Sequence, residues 1–122
     1  MLKHRVREIG DLVPIRNVLI SVADKSKLEY FVHRLVEVAP DLHLYSTGGT
    51  YRRIVEILGR ESERITELSE YTGQPEMEGG LVKSLDFHVH AGLLAEPGNR
   101  DHQGYLTRIG AVYFDMVVVN LY

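Results

Sequence analysis

The sequence contains no cysteine. Disulfides, thiolate zinc sites and cysteine nucleophiles are excluded with it, and a cysteine-free soluble chain fits the cytoplasm. Long apolar runs are missing too. The longest are four residues, as in Met116-Val117-Val118-Val119, where a membrane span needs about 20. The opening MLKHRVREIGDL has no apolar stretch long enough for a secretory signal. Nor is one charge in excess: 14 basic and 17 acidic residues leave a net charge of −3, no global field that would draw nucleic acid. Internal repeats and low-complexity tracts are absent as well.

What is present is an ordinary globular composition. Apolar residues make up 44% and charged residues 25% of 122 residues, which excludes a disordered tail, a collagen-like chain and a coiled-coil rod. The length allows one domain, able to bury roughly two-thirds of its unfolded surface around a single core. Residues 1–15 are mixed in charge, lack a clear period and include Pro14; they read as an N-terminal arm, with the domain spanning 16–122.

Arg16 to Val22 packs Val18, Leu19, Ile20 and Val22 closely, as a strand covered on both faces does. From Lys25 to Val38 the apolar residues Leu28, Phe31, Val32, Leu35, Val36 and Val38 fall at helical spacing. Asp24 or Ser21 would cap that helix, and Pro40-Asp41 ends it. A second strand is expected at Leu42–Tyr45, a turn at Ser46–Thr50, a helix at Tyr51–Leu58 and a weak third strand at Ile65–Leu68. Ser69–Gly80 reads as a long loop, of the kind that is often functional. Asn99–Ile109 reads as a helix, and Met116–Leu121 as the last and most buried strand. Alternation of this kind argues for a three-layer α/β/α fold with a parallel sheet and helices on both faces. In open parallel sheets ligands bind beyond the carboxyl ends of the strands, where Ser21–Lys25, Ser46–Thr50 and Asn120–Tyr122 fall.

Four constellations there could carry chemistry. Thr47-Gly48-Gly49-Thr50 places two glycines where a backbone can curl around a ligand, at a helix N-terminus suited to phosphate; it would serve equally as a plain tight turn. Ser21 and Lys25 lie at the neighbouring strand-to-helix junction and would complement an anion, unless Asp24 merely caps and Lys25 is solvated. In Lys83-Ser84-Leu85-Asp86-Phe87-His88-Val89-His90, an extended chain would put Asp86, His88 and His90 on one face, as a metal site needs. A polar loop is the alternative and is preferred. Lys83 could line the pocket as a cation or act as a general acid. Asn120 interrupts an apolar strand at its carboxyl end, where an amide can bond a ligand or a developing oxyanion or satisfy a neighbouring loop.

The segments ISVADKSKLEYFVHRL, YSTGGTYRRI, ITELSEYTGQPEMEGGLVKSL, VHAGLLA and DMVVVNLY together resemble the N-terminal half of the inosine monophosphate cyclohydrolase domain of the bifunctional purine biosynthesis enzyme. That domain is similar in fold to methylglyoxal synthase and to the allosteric domain of carbamoyl phosphate synthetase. STGGT is shared across this wider superfamily, whereas YTGQPEMEGGLVKSL followed by HAGLL and NLY is specific to the cyclohydrolase branch. The resemblance implies strand order 3-2-1-4, with room for an extra edge strand, and a hydrolase-class activity that closes 5-formamidoimidazole-4-carboxamide ribonucleotide to inosine monophosphate. It places Ser21, Lys25, Thr47, Gly48, Gly49 and Thr50 around the 5′-phosphate, Lys83 and Ser84 near the base, and Asn120 and Tyr122 beside the reacting carbonyl. It implies no metal and no cofactor, a phosphorylated small molecule as ligand, no nucleic acid or membrane partner, and a homodimer or a partner chain that supplies missing parts.

The sequence departs from the family pattern at several points. Ala23 stands where the family has a serine, Leu81 where it has an arginine, Ser84 where it has a threonine, and Asp86-Phe87 where it has His-Pro. The family's later catalytic aspartate and lysine have no counterpart within these 122 residues. The expectation is an incomplete cyclohydrolase or, alternatively, a non-catalytic phosphate- or nucleotide-binding regulatory module.

Overall fold

The computed structural model describes residues 5–6, 9–75, 77 and 84–120. Four strands, β1 (Asn17–Ser21), β2 (His43–Ser46), β3 (Ile65–Glu67) and β4 (Met116–Val119), form one sheet in the order β3-β2-β1-β4, and every pairing is parallel. The helices are α1 (Leu28–Val38), α2 (Gly48–Leu58), α3 (Leu68–Thr72), α4 (Phe87–Leu94) and α5 (Arg100–Ile109), with a 3-10 segment at Gly59–Arg64.

The two-residue period of β1 sorts its side chains into two cores. Val18 and Ile20 face one side and meet Leu44 of β2, Leu28, Val32 and Leu35 of α1, and Ile54 and Leu58 of α2. Those helical positions follow a three- and four-residue spacing, so each helix buries one stripe. Leu19 faces the other side and packs with Tyr45, Leu68, Val89 and Phe114. Each fully buried aliphatic side chain contributes roughly 1.5–3 kcal/mol. The helices therefore cover both faces, as expected.

An aromatic wall stands on the second face. The Tyr45 ring lies 5.0 Å from Tyr71 and 5.5 Å, edge to face, from Phe114. The Tyr71 hydroxyl accepts from the Val112 N–H at 2.9 Å. Burial raises the pKa of both tyrosines; the nearby Asp86 charge raises that of Tyr71 further, and Tyr71 adds to the shift of Tyr45.

Three expectations are corrected. The stretch Ser69–Gly80 is not a loop from its start, because β3 ends at Glu67 and α3 follows at once, burying Leu68 and packing Tyr71 on Tyr45 before Gly73 ends it at φ +72°. Five residues are too few to show a period. The Asp86–His90 stretch is neither extended nor a loop. Asp86 caps α4 by accepting from the His88 N–H at 2.7 Å and from the ring Nδ1 at 2.8 Å, and no metal-capable group of three His, Asp or Glu side chains exists among the described residues. Finally, β4 is an edge strand rather than the most buried one, with Val117 46% and Val119 62% exposed. Its valines report strand propensity, not a central position.

Smaller boundary shifts follow the local chemistry. The first helix begins at Leu28, since Asp24 accepts from the Ser26 N–H at 2.9 Å in a turn ahead of it. Helix α5 begins at Arg100, because Asn99 caps it by accepting from the N–H groups of Asp101 and His102. No helix among the described residues is long and apolar enough to cross a membrane.

Two predictions follow from this packing. A β-carbon on Gly92 would strike the Val112 carbonyl and lie 2.9 Å from the Phe114 ring. Gly92→Ala should therefore cost about 1–3 kcal/mol or more, read as a lower urea midpoint; an unchanged midpoint would contradict this contact. His43 bonds the Thr66 hydroxyl at 2.7 Å across β2 and β3, and burial lowers its pKa below 6.5. The unfolded chain thus takes up this proton first, and stability falls as pH drops from about 6.5 towards the depressed folded value. Urea midpoints between pH 7.5 and 5.5 should decline less in His43→Gln than in the wild type, and identical declines would remove His43 as the cause.

Candidate functional site

The parallel sheet sends the ends of β1, β2 and β4 to the same edge, where their following loops meet. The chain leaves β2 through Thr47 and enters α2 directly at Gly48, whose φ of +41° suits glycine. The expected turn at Ser46–Thr50 is thus the end of a strand and the first turn of a helix. Thr47 is extended and makes no side-chain cap bond to α2, so its hydroxyl satisfies none of the N–H groups that a helix start leaves free. No acidic residue occupies the first turn, and the positive end of the helix dipole is unneutralised there.

Lys25 completes this cradle. Its Nζ donates to the carbonyls of Val22 at 2.9 Å and Ala23 at 3.3 Å. A β-carbon built on Gly49 would sit 3.6 Å from its Cε and 3.8 Å from its Nζ. The ammonium therefore stands over the helix N-terminus without a carboxylate bonded to it among the described residues. Asp24 is turned into its own loop, where the Ser26 backbone and side-chain hydrogen bonds, foremost among the causes, hold its pKa below the usual value.

The hydroxyls divide by role. Thr50 is buried and locks α2 to the end of β1, accepting from the Val22 N–H at 3.3 Å and donating to the Val22 carbonyl at 3.1 Å. Ser46 donates to the Ile20 carbonyl at 2.6 Å. Ser21 and Thr47 face each other at 3.4 Å between Oγ and Oγ1. Asn120 is committed to the loop after β1: its Oδ1 accepts from Ala23 N–H at 2.7 Å and Asp24 N–H at 3.3 Å, and its Nδ2 donates to the Asp24 carbonyl at 2.9 Å.

Ser21, Lys25, Thr47, Gly48, Gly49, Thr50 and Asn120 are thus brought to one edge. Ser84 is exposed, and no described hydrogen bond joins its side chain to the cradle. Lys83, Tyr122 and Leu81 lie outside the described residues. One group was missed. The guanidinium of Arg52 also reaches Gly49, with Nη2 3.9 Å from the same β-carbon position. The signal was available, because residues 49 and 52 are three apart on a helix whose side chains lean towards its start. Two cavities, of about 350 and 450 Å³, lie elsewhere: one beside Asn120, Leu28 and Phe31, the other between α4 and Tyr105. Neither is lined by Lys25, Thr47, Gly48, Gly49 or Thr50.

A parallel sheet in this order, covered by helices on both faces, makes the chain an α/β domain of the methylglyoxal synthase-like type. More particularly, it is a PurH-like domain. It is 41% identical over 114 residues to the bifunctional purine biosynthesis protein PurH of Rhodopirellula baltica, a match that covers 93% of this chain and 21% of that protein. The chain thus spans about a fifth of the length of this relative. A crystal structure of ForH superposes with a TM-score of 0.70 at 26% identity, covering 88% of this chain and 53% of that one. No family model matches the chain.

Two substitutions test the cradle. Gly49→Ala meets ordinary contact distances, and alanine is favoured over glycine in a helix by roughly 0.5–1 kcal/mol. Thermal stability should hold or rise while calorimetric binding of inorganic phosphate weakens, since the methyl fills the space between the cations. Lys25→Ala should weaken the same binding by roughly 1.5–3 kcal/mol. Unchanged phosphate affinity in both variants would refute the assignment.

Proposed function

We propose that the chain is an inosine monophosphate cyclohydrolase-like domain of purine nucleotide biosynthesis. Its ligand is a purine ribonucleotide or precursor, and its setting the cytoplasm. The observation that carries the reading is the Lys25 ammonium held 3.8 Å from the Gly49 β-carbon position at the start of α2, supported by the 41% identity to PurH. In this reading the cradle takes the 5′-phosphate of the formamidoimidazole carboxamide ribonucleotide. The carboxamide nitrogen bonds the formyl carbon, the formyl oxygen leaves as water with one proton from the carboxamide nitrogen and one from the formamido nitrogen, and inosine monophosphate forms. Lys83 and Tyr122 are the proposed proton-handling groups, with Ser84 near the base. No metal or cofactor is required. The proposed assembly is a homodimer.

One observation favours a second reading, a nucleotide-binding regulatory module. Both polar atoms of the Asn120 amide already serve the loop at Ala23–Asp24, so the amide acts in positioning that loop and does not face a reacting carbonyl as an uncommitted donor.

General acid–base help is typically worth about 10²–10⁴-fold and one oxyanion donor about 10²–10³-fold. With the Asn120 amide committed to its loop, the purified chain should bind inosine monophosphate saturably and turn over the formamido ribonucleotide at least about 100-fold more slowly than a full-length cyclohydrolase. Binding without turnover selects the regulatory module. Absence of nucleotide binding overturns both readings, and turnover at the full-length rate shows that the loop contacts of Asn120 remove no oxyanion donor.

A further inference from the structure

Arg52 and Arg53 are adjacent on α2 but in opposite electrostatic circumstances. Arg53 is neutralised twice, with Nη2 3.2 Å from Glu29 and Nη1 3.2 Å from Glu56. Arg52 is exposed and makes no ion pair or hydrogen bond among the described residues. Its Nη2 lies 3.9 Å from the β-carbon position of Gly49, and Lys25 Nζ lies 3.8 Å from that same point. Two cations, neither in a direct ion pair among the described residues, therefore converge on one spot above a glycine. Thr47 adds a hydroxyl beside it: the residue is 6% exposed, and its side chain has a single, long polar contact among the described residues, 3.4 Å to Ser21.

We infer that Arg52 is a specificity-determining residue of the cradle, the second cation that selects a dianionic phosphate monoester over a monoanion or a neutral nucleoside. This rests on the phosphate reading above and deepens it. Lysine supplies a compact point charge, whereas a guanidinium supplies a planar fork matched to two phosphate oxygens. Together with the helix start, the pair places two positive charges opposite the two negative charges that a phosphate monoester carries above its second pKa, about 6. The glycine leaves the space between them open, and without a side chain at position 49 both cations can reach one ligand.

Calorimetric titration with inosine monophosphate, inosine and the methyl phosphodiester of inosine monophosphate, a monoanion, tests this. The wild type should prefer the monophosphate to inosine and to the diester, and its affinity for the monophosphate should rise between pH 5 and 7.5. Arg52→Ala should weaken monophosphate binding about 10- to 100-fold, leave the weak binding of inosine unchanged and flatten the pH dependence. Arg52→Lys should fall between the two, because it keeps the charge and loses the fork. Arg53→Ala should bind as the wild type does. If the wild type shows no preference for the monophosphate over inosine, the phosphate reading itself fails. If it does and Arg52→Ala binds the monophosphate with wild-type affinity and pH dependence, the phosphate reading stands and the role of Arg52 is overturned. Equal losses in Arg52→Ala and Arg53→Ala would also overturn it, since they would report a general surface charge.

Discussion

The structure depends on how the three residues after β1 satisfy their backbone. Val22, Ala23 and Asp24 leave the sheet with N–H and carbonyl groups that have no ladder partner, and such groups need partners when withdrawn from water. Side chains from three places supply them. Thr50 serves both polar groups of Val22, Asn120 serves the N–H groups of Ala23 and Asp24 and the Asp24 carbonyl, and Lys25 reaches back to the carbonyls of Val22 and Ala23. This loop joins the ends of β1 and β4 to the start of α2, and it holds the Lys25 ammonium over that helix start. The geometry of the candidate site and sheet assembly thus share one set of hydrogen bonds.

The same arrangement explains what could be read in the residues. Helix α1 and strand β1 are legible because each buries a periodic set of side chains, and the junctions Ser21–Lys25 and Ser46–Thr50 are legible because a parallel sheet must bring them to one edge. Lys25 and the Gly48–Gly49 pair, read as a candidate phosphate site, fall together at that edge. Helix α3 was hidden by its length. Helix α4 was hidden because its residues, FHVHAGLL, show almost no polar face, although Asp86 ahead of them is a recognisable cap. The edge position of β4 was not legible in its own residues, since a run of valines states that a segment pairs but not with how many neighbours; it followed from the order 3-2-1-4 that the resemblance implied.

Asn120 and Arg52 mark the limit at the site. Two roles for Asn120 were compatible with its position, and the contacts it makes are with the loop. Arg52 stands beside an arginine of the same charge, and what separates them is the location of Glu29 and Glu56. That difference exists in space and not in the local pattern.

The strand order has a consequence for assembly during synthesis. Ser46 meets Ile20 across 26 residues of chain, whereas Asn17 meets Asp115 across 98. The longer closure costs roughly 1 kcal/mol more in chain entropy, a small sum for the finished fold but enough to set an order of events. As the chain emerges from its N-terminus, β1, β2 and the two helices that cover them are available long before β4. One flank of β1, with its row of backbone donors and acceptors, therefore waits unpaired until β4 has been made. The loop after β1 waits with it, since its partner Asn120 directly follows β4 in the chain.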